Sequence, residues 1–455
     1  MPDRRSMFPV SRRTFLKSAA LASPMLAMPA LSWGRIMGSN DRITIGVIGT
    51  GGMGTVHVED FLKIQKSGTE NIEVIRVCDV YRRRLNNAVR LIGGSESSGS
   101  MEYERVIDDR DVSAVLIATP DHWHTKMAIE AMDAGKDVYC EKPLSLTIEQ
   151  AIECRDAVRR TGRVLQVGPQ GTSEDRWWKA REIIGSGKIG RVVWSQGAYC
   201  RNSREGQFNW RIDPDAGPSS PSGGDGYIDW DRWLGHRWGL APKIEWNADH
   251  FFRFRKYYAY NGGVATDLMY HRLAPLLIAI AGPNGQYPRR VSASGGLYIE
   301  NDGRDIGDTM ILNVDYDAPY EGASGHTVTL ASVMVNDVGL EDAIRGQYGT
   351  LRPRGGGWSL TEQSAWAKEF RAANAQAGIS SEAKPGEASL EIASGSRRNH
   401  KENWFDAIRG KAQPHCNIEL GCATMVAIKM GVESFRRSQT LVWDARKEAA
   451  VVSGA

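Results

Sequence analysis

The sequence predicts an α/β protein: an N-terminal doubly wound parallel sheet, then a C-terminal α/β domain carrying a large, mostly antiparallel open sheet. Three observations lead there. Short apolar runs alternate with helix-like stretches over residues 41–160, the signature of parallel strands joined by crossovers. A glycine-rich turn, Gly49-Thr50-Gly51-Gly52-Met53-Gly54, closes the first of those runs and opens a helical stretch. From Arg290 onward the pattern changes to the alternation of half-buried antiparallel strands.

At 455 residues the chain has material for two or three domains and an ample core. A hydrophobic content of 41% with 24% charged residues is that of an ordinary globular protein. The net charge of +3 is small, and Arg4, Arg5, Arg12, Arg13 and Lys17 supply much of it. No basic stripe argues for a nucleic-acid partner.

Residues 1–35 are set apart from the fold. Ser11-Arg12-Arg13-Thr14-Phe15-Leu16-Lys17 stands before an apolar Ala/Leu/Met-rich run from Ser18 to Leu31, the layout of a twin-arginine export signal and linker. The run falls short of the roughly 20 residues that span a bilayer, and Pro24 and Pro29 interrupt it. This predicts a periplasmic or otherwise exported protein, with the twin-arginine machinery as a partner. Such signals serve proteins that cross the membrane already folded, often around a cofactor.

Taken in order, Arg42 to Ile48 reads as a strand buried on both faces. After the glycine turn, a helix is expected through Val56, Phe61 and Ile64. Ile72 to Val77 forms a second strand ending at Cys78-Asp79, and an arginine-rich helix follows. Ala114 to Ala118 is a strand closed by Thr119-Pro120, a helix runs from about Thr125 to Ala134, and Asp137 to Cys140 is another strand. The domain from 161 to 450 opens with an aromatic-rich, loop-like stretch over 190–260. Antiparallel strands are expected at Val291–Ile299, Thr309–Tyr316 and His326–Val335, helices near His400–Arg409 and Leu420–Arg436, and a last strand at Thr440–Trp443. Residues 352–398, with Gly355-Gly356-Gly357, read as a loop excursion. The six cysteines lack metal-ligand spacing and are read as core thiols, with a disulfide between Cys416 and Cys422 as the alternative. No metal site is expected.

The glycine turn has the context a dinucleotide requires: a buried strand before it, a helix after it, and Asp79 at the end of the next strand. Gly49 permits the tight turn, Gly51 lets backbone approach a pyrophosphate, and Gly54 lets the helix pack on the sheet. Gly52 and Met53 open the helix, whose free amides face the phosphates. Asp79 would take the ribose hydroxyls, favouring NAD, whereas Arg82, Arg83 and Arg84 could hold the extra phosphate of NADP. Two further segments end strands of the same sheet: Thr119-Pro120-Asp121-His122-Trp123-His124 and Glu141-Lys142-Pro143. Lys142 is placed to hydrogen-bond a substrate hydroxyl beside a nicotinamide.

With Gly262-Gly263-Val264-Ala265-Thr266-Asp267-Leu268-Met269-Tyr270-His271, these segments resemble the glucose–fructose oxidoreductase / inositol dehydrogenase (Gfo/Idh/MocA) family, in the family's order over about 41–445. The resemblance implies a Rossmann domain, a substrate-binding and oligomerisation domain, and a homo-oligomer. It implies a catalytic set of Lys142, Asp267 and His271, with His124 and Glu141 on the nicotinamide side of a cofactor site that includes Thr119, Pro120 and Lys142 itself. Asp267 and His271, four apart, would share a helix face, so that Asp267 orients His271 or shares the hydroxyl with Lys142. Trp177, Trp178 and the aromatics of 194–260 are candidates either for sugar platforms or for core. Arg253 and Arg255 are candidates for a carboxylated or polyhydroxy substrate.

The resulting expectation is an exported NAD(P)-dependent oxidoreductase acting on a sugar, polyol or glycoside, with a tightly held, recycled cofactor. The rival readings are an NAD-dependent glycosidase, like α-N-acetylgalactosaminidases that resemble this family, and a non-catalytic sugar-binding protein.

Overall fold

The computed structural model describes residues 42–379 and 382–454. The twin-arginine segment therefore lies outside the described residues. Six parallel strands form the first sheet: β1 (Ile43–Ile48), β2 (Ile72–Cys78), β3 (Gly99–Ser100), β4 (Ala114–Ile117), β5 (Asp137–Cys140) and β6 (Leu165–Val167). Their order is β3-β2-β1-β4-β5-β6, so the chain reverses direction across the sheet between β1 and β4. A crevice opens at the carboxyl ends of the strands at such a switch point.

The apolar runs are continuous because both faces are covered. Ile45, Val47, Ala114 and Leu116 pack with Val58 and Phe61 of α1 (Gly52–Ser67) and Leu85 of α2 (Arg82–Leu91). Val115, Ile117, Val138 and Cys140 face the other way, toward Met127 of α3 (Asp121–Asp133) and Ala151 of α4 (Ile148–Thr161). The α3 helix starts earlier than the sequence suggests, which places Asp121, His122, Trp123 and His124 in its first turn. Val56, expected on the packed face of α1, is instead 43% exposed.

The parallel sheet also outruns the expected boundary at 160, because β6 lies beyond it. A helix from the far end of the chain returns to this domain. Trp404 and Phe405 of the segment His400–Ile408 pack against Phe61, and Trp404 meets Tyr139 edge-on.

The second sheet has ten strands. In chain order they are β7 (Val192–Ala198), β8 (Arg290–Gly296), β9 (Thr309–Tyr316), β10 (His326–Val333), β11 (Ala343–Gly346), β12 (Gly349–Arg354), β13 (Gly357–Glu362), β14 (Ser389–Ile392), β15 (Leu441–Asp444) and β16 (Ala449–Val452). They run β14-β13-β12-β11-β7-β10-β9-β8-β15-β16, and only the β7–β10 pair is parallel. Met310, Leu312, Val314 and Tyr316 of β9 are buried, while Ile311 between them is exposed on the open face. The helices Tyr270–Ile280 and Ile418–Arg437 cover the buried face.

The excursion expected at 352–398 is corrected by this sheet. Gly355 and Gly356 make the tight turn between β12 and β13, with φ of 55° and 82°. Residues read as loop punctuation are the hairpin's own turn chemistry. Pro353 fits β12 because the pairing to β11 involves only Thr350 and Leu351, so no ladder bond is asked of its nitrogen. All six cysteines are free, including Cys416 and Cys422.

Candidate active site

A cavity of about 890 Å³ runs along the carboxyl ends of β1, β2, β4 and β5. At one end lies the glycine turn. Gly49 has φ +86°, and a Cβ there would sit 2.7 Å from the Ala118 carbonyl oxygen. At Gly54 a Cβ would come within 1.8 Å of the Gly49 carbonyl oxygen, so α1 packs against the turn only because both are glycine. Gly52 faces open space, and a Cβ on Gly51 would meet only the Arg84 guanidinium, 3.3 Å away. The α1 helix begins at Gly52 with no side-chain cap, leaving its first amides available to an anion. Met53 adds an apolar wall. This cradle fits a dinucleotide pyrophosphate.

Asp79 lines the same end, but its carboxylate already has work. Oδ2 accepts from the Thr50 amide at 2.8 Å and the Thr50 hydroxyl at 3.3 Å, while Oδ1 accepts from the Tyr81 amide at 2.9 Å. The aspartate thus pins the glycine turn to the end of β2, and Thr50 is a partner that the glycine pattern alone does not reveal. Of the three arginines after it, Arg83 turns away to pair with Asp213 and Asp215. Arg84 lines the cavity, held over the rings of Tyr81, Phe251 and Phe252 at 5.2–5.7 Å.

The loop-like segment between β7 and the Gly-Gly motif forms the opposite wall. It docks on the residues that follow Asp79: the Asp229 amide donates to the Val80 carbonyl, the Arg82 amide donates to the Tyr227 carbonyl, and Tyr81 bridges Ile228. The Tyr81 hydroxyl donates to Asp213 at 2.7 Å, Asn86 to Asp225 at 2.7 Å, and Arg232 pairs with Glu104 at 2.8 Å. Its aromatics are mostly the segment's own core. Trp230 stacks on Trp233 with 4.9 Å between centroids, and Phe251, Phe252 and Tyr260 complete the cluster. Trp210 is different, being exposed on the cavity wall.

At the other end stand the predicted reacting groups. Lys142, in a cis peptide with Pro143, donates from Nζ to both Oδ1 and the main-chain oxygen of Asp267, each at 2.9 Å. Arg255 Nε donates to the same Oδ1 at 2.9 Å. Burial alone would raise the Asp267 carboxyl, but the charges of Lys142 and Arg255 overcome it and hold the group well below the usual range. His271 lies beside them, its ring 5.6 Å from that of Tyr199. Burial, with the Lys142 charge, lowers it to about 4. At neutral pH it is an uncharged imidazole.

Asp267 does not orient His271. Residues Ala265–Met269 form a π-helical turn, and the α-helix begins only at Tyr270, so the two side chains do not share an α-helical face. Behind this turn, Asp121 accepts from Asn261 Nδ2 at 2.7 Å, and Asn261 Oδ1 accepts from the Gly263 amide at 2.6 Å. That chain ties the first turn of α3 to the lead-in of the π-turn. Burial pushes the Asp121 carboxyl up to about 7 against the neighbouring Arg255.

Thr119, Pro120 and Arg255 line the cavity as expected. His124 does not. It is buried, with Nδ1 2.6 Å from the Pro143 carbonyl and Nε2 2.8 Å from the Thr119 carbonyl, so it braces the strand ends that carry Lys142 and Pro120. Glu141 reaches the cavity but is bound from behind by His57 at 2.8 Å and Gln170 at 3.1 Å. Its burial is outweighed by the His57 hydrogen bond and nearby positive charge, which lower it to about 2. Trp178 lies elsewhere: its indole donates to the Thr172 carbonyl and its face carries Arg397. Trp177 is core, and Arg253 pairs with Asp249 away from the cavity. Tyr199, Arg201 and Arg211 line the cavity without having been singled out. Tyr199 and Arg201 follow the carboxyl end of β7, so applying the strand-end rule to the second sheet would have found them.

Residues 43–169 match the Gfo/Idh/MocA model, described as an oxidoreductase family with an NAD-binding Rossmann fold. An oxidoreductase of Rhizobium meliloti is 35% identical over 162 residues, covering 35% of this chain and 46% of the relative. A glycosyl hydrolase family 109 protein of Saccharopolyspora erythraea is 29% identical over 232 residues, covering 46% of this chain and 49% of the relative. The chain thus spans about half the length of these curated relatives. Among solved structures, levoglucosan dehydrogenase with NADH and levoglucosan superposes with a TM-score of 0.59 at 18% identity, over 91% of this chain and all (100%) of that one. An NAD-binding oxidoreductase of Klebsiella pneumoniae gives 0.60 at 19% identity, over 90% of this chain and 100% of that one. These likenesses establish a shared two-sheet fold.

Proposed function

We propose, proceeding from residues 43–169 as a Gfo/Idh/MocA-type NAD-binding domain, that the protein is an exported NAD(P)-dependent oxidoreductase acting on a CH–OH group of a sugar, polyol or glycoside. One observation carries the reading: Lys142, anchored on Asp267, stands beside a neutral His271 in the cavity that the glycine turn opens. When bound, the nicotinamide supplies a hydride acceptor for the carbinol carbon. The chain's own residues must then handle the proton. An ammonium has three donors, and Asp267 takes two of those on Lys142, which leaves one for the substrate oxygen. That donor stabilises the developing alkoxide. His271, uncharged at neutral pH, accepts the hydroxyl proton. The Asp121–Asn261–Gly263 chain positions the turn that carries Asp267.

The sequence motif around Arg12 and Arg13 supports export, and the docked aromatic segment beside the nucleotide end supports a cofactor retained through it. A retained cofactor must be recycled in place, as a paired oxidation and reduction of two sugars would do. The test is to denature the purified protein, identify the released nucleotide, and follow nicotinamide absorbance as candidate sugars are added.

The relatives named as glycosyl hydrolase family 109 proteins favour a second reading, a redox-neutral glycosidase. Transient oxidation of a ring carbon acidifies the neighbouring C–H; loss of that proton expels the aglycone, water adds, and the ring carbon is reduced again. Release of nitrophenol from nitrophenyl glycosides, α-N-acetylgalactosaminide included, without added cofactor distinguishes it from net oxidation.

A further inference from the structure

Beyond the reaction type, the charge around the catalytic end selects a substrate class. Lys142, Arg201 and Arg255 stand at this end around the Asp267 carboxylate, and the exposed Arg211 lines the same cavity. Asp267 Oδ1 already accepts from both Lys142 and Arg255, so this one carboxylate faces three cations with Arg201. Glu141 is bound by His57, and Asp79 belongs to the glycine turn. Arg201 and Arg211 have no carboxylate within ion-pair distance among the described residues. The nucleotide's own phosphates do not call for them, because Arg84 and the start of α1 serve that end.

Arg201 is also held in place. Its guanidinium lies 4.9 Å from the Tyr199 ring centroid, and Nη2 donates to the Tyr199 hydroxyl at 2.8 Å. The Tyr199 ring in turn meets His271 edge-on at 5.6 Å, so one ring touches both Arg201 and the reacting group, and the Arg201 charge is felt at His271. Arg255 lies 5.1 Å from the Trp210 ring centroid, so an aromatic face borders the same space. An aromatic face suits the C–H face of a pyranose. Guanidinium groups in fixed positions suit a carboxylate or phosphate, which they bind through paired hydrogen bonds.

We propose that the substrate is an anionic sugar, whose carboxylate or phosphate is bound by Arg201 while its ring lies along Trp210 and its hydroxyl faces Lys142 and His271. The proposal rests on the sugar-hydroxyl reading above. It predicts a preference that a neutral sugar cannot satisfy.

The experiment measures binding before turnover. Glucuronate, galacturonate and mannuronate, their neutral parent hexoses and the parents' 6-phosphates are titrated calorimetrically into the nucleotide-loaded protein. At least one anionic sugar should bind about 10- to 100-fold more tightly than its neutral parent, the usual scale for hydrogen bonds to a charged group. That advantage should shrink as salt is raised. A preference confined to the uronates assigns the carboxylate, and one confined to the phosphates assigns the phosphate. Arg201→Met should erase most of the advantage and Arg201→Lys should restore part of it, with thermal melting confirming that both fold. The proposal is overturned if no anionic sugar binds more tightly than its neutral parent, or if Arg201→Met leaves the advantage intact. An anionic sugar that binds tightly but yields neither nicotinamide reduction nor aglycone release would leave the charge argument standing and remove the proposed reaction.

Discussion

Lys142 Nζ donates twice to Asp267, to the carboxylate and to the main-chain oxygen, at 2.9 Å each. The pair spans the two sheets' domains, since Lys142 ends β5 and Asp267 sits on the turn that precedes the helix Tyr270–Ile280. A lysine held this way cannot swing toward solvent, and its remaining donor is aimed by its partner. The pair is therefore the joint on which nucleotide and substrate sides are aligned.

Replacing Lys142 with Met should lower turnover by about a hundredfold or more, the scale expected for a proton-handling group. Nucleotide content should be unchanged, because the glycine turn lies at the other end of the cavity. Asp267→Asn should be at least as harmful, because it leaves two partly buried cations, Lys142 and Arg255, without their carboxylate. Single-turnover rates alongside nucleotide absorbance check both. Normal turnover in Lys142→Met would remove it from the reaction.

His271 sets the acid side of the pH profile. With a folded pKa of about 4, the imidazole remains a base down to mildly acidic pH. The value of kcat/KM should fall only as pH drops through about 4, and His271→Ala should abolish that limb with most of the rate. Stability should respond over a wider window. His122, His400 and His415 are each lowered to about 4 by burial, against an unfolded value of about 6.5. Between those values the unfolded chain binds protons that the folded chain refuses, so their contribution is complete above pH 6.5 and lost toward pH 4. Asp121, raised to about 7, works in the opposite direction. Chemical denaturation at pH 7.5 and 4.5 should show the protein weaker at the lower pH.

Asp79→Ala should weaken NAD binding by two routes, loss of the ribose acceptor and loosening of the Thr50 turn that it holds. Arg84→Ala should separate the nucleotides. If Arg84 holds a 2′-phosphate, NADP affinity falls further than NAD affinity. If it serves the pyrophosphate beside Gly51, both fall together. Titration of the emptied protein with each nucleotide decides, and a native load of NADP would reverse the preference expected from Asp79.

Much of this arrangement is legible in the sequence because it depends on local chemistry. Gly49 and Gly54 announce themselves, since no other residue tolerates those approaches to Ala118 and Gly49 oxygens. Thr309–Tyr316 is read to the residue because its burial alternates along the strand. Other features depend on partners far away in sequence. β11, β14 and β16 are four residues each, too short for periodicity to declare them. His124 reads as a nicotinamide contact in its motif, yet its two carbonyl neighbours are supplied by the fold. Of the two roles open to Asp267 in the sequence, orienting His271 or acting with Lys142, the π-turn leaves the pairing with Lys142.

The aromatic segment should govern how slowly the nucleotide leaves. Tyr81 joins it to the nucleotide end: its hydroxyl bonds Asp213, its ring meets Phe251 and Phe252 edge-on at 6.0 Å, and Arg84 lies over it. Tyr81→Ala should raise the dissociation rate of bound NADH by about tenfold or more, since aromatic pairs of this kind are each worth roughly 0.5–1.5 kcal/mol. Arg83→Ala, which removes a partly exposed ion pair, should change it much less. Displacement of NADH fluorescence by excess NAD reads the rate. Equal rates in wild type and Tyr81→Ala would mean that the segment does not retain the cofactor.

If Arg12 and Arg13 direct export of a folded, loaded protein, nucleotide must bind before translocation and remain afterwards. The purified exported protein should then keep its nucleotide through extensive dialysis and turn over without added NAD(P). Changing both arginines to Lys should strand active, loaded protein in the cytoplasm, because the chain from Ile43 onward forms a compact unit of its own. Gly51→Val should act differently. A side chain there crowds both the pyrophosphate path and the Arg84 guanidinium, giving a protein that folds but stays empty and inactive. Cell fractionation with nucleotide analysis of each pool separates the outcomes. Exported wild-type protein that is folded, nucleotide-free and dependent on added cofactor would refute the resident-cofactor mechanism, and with it the need for a redox-neutral or internally recycled reaction.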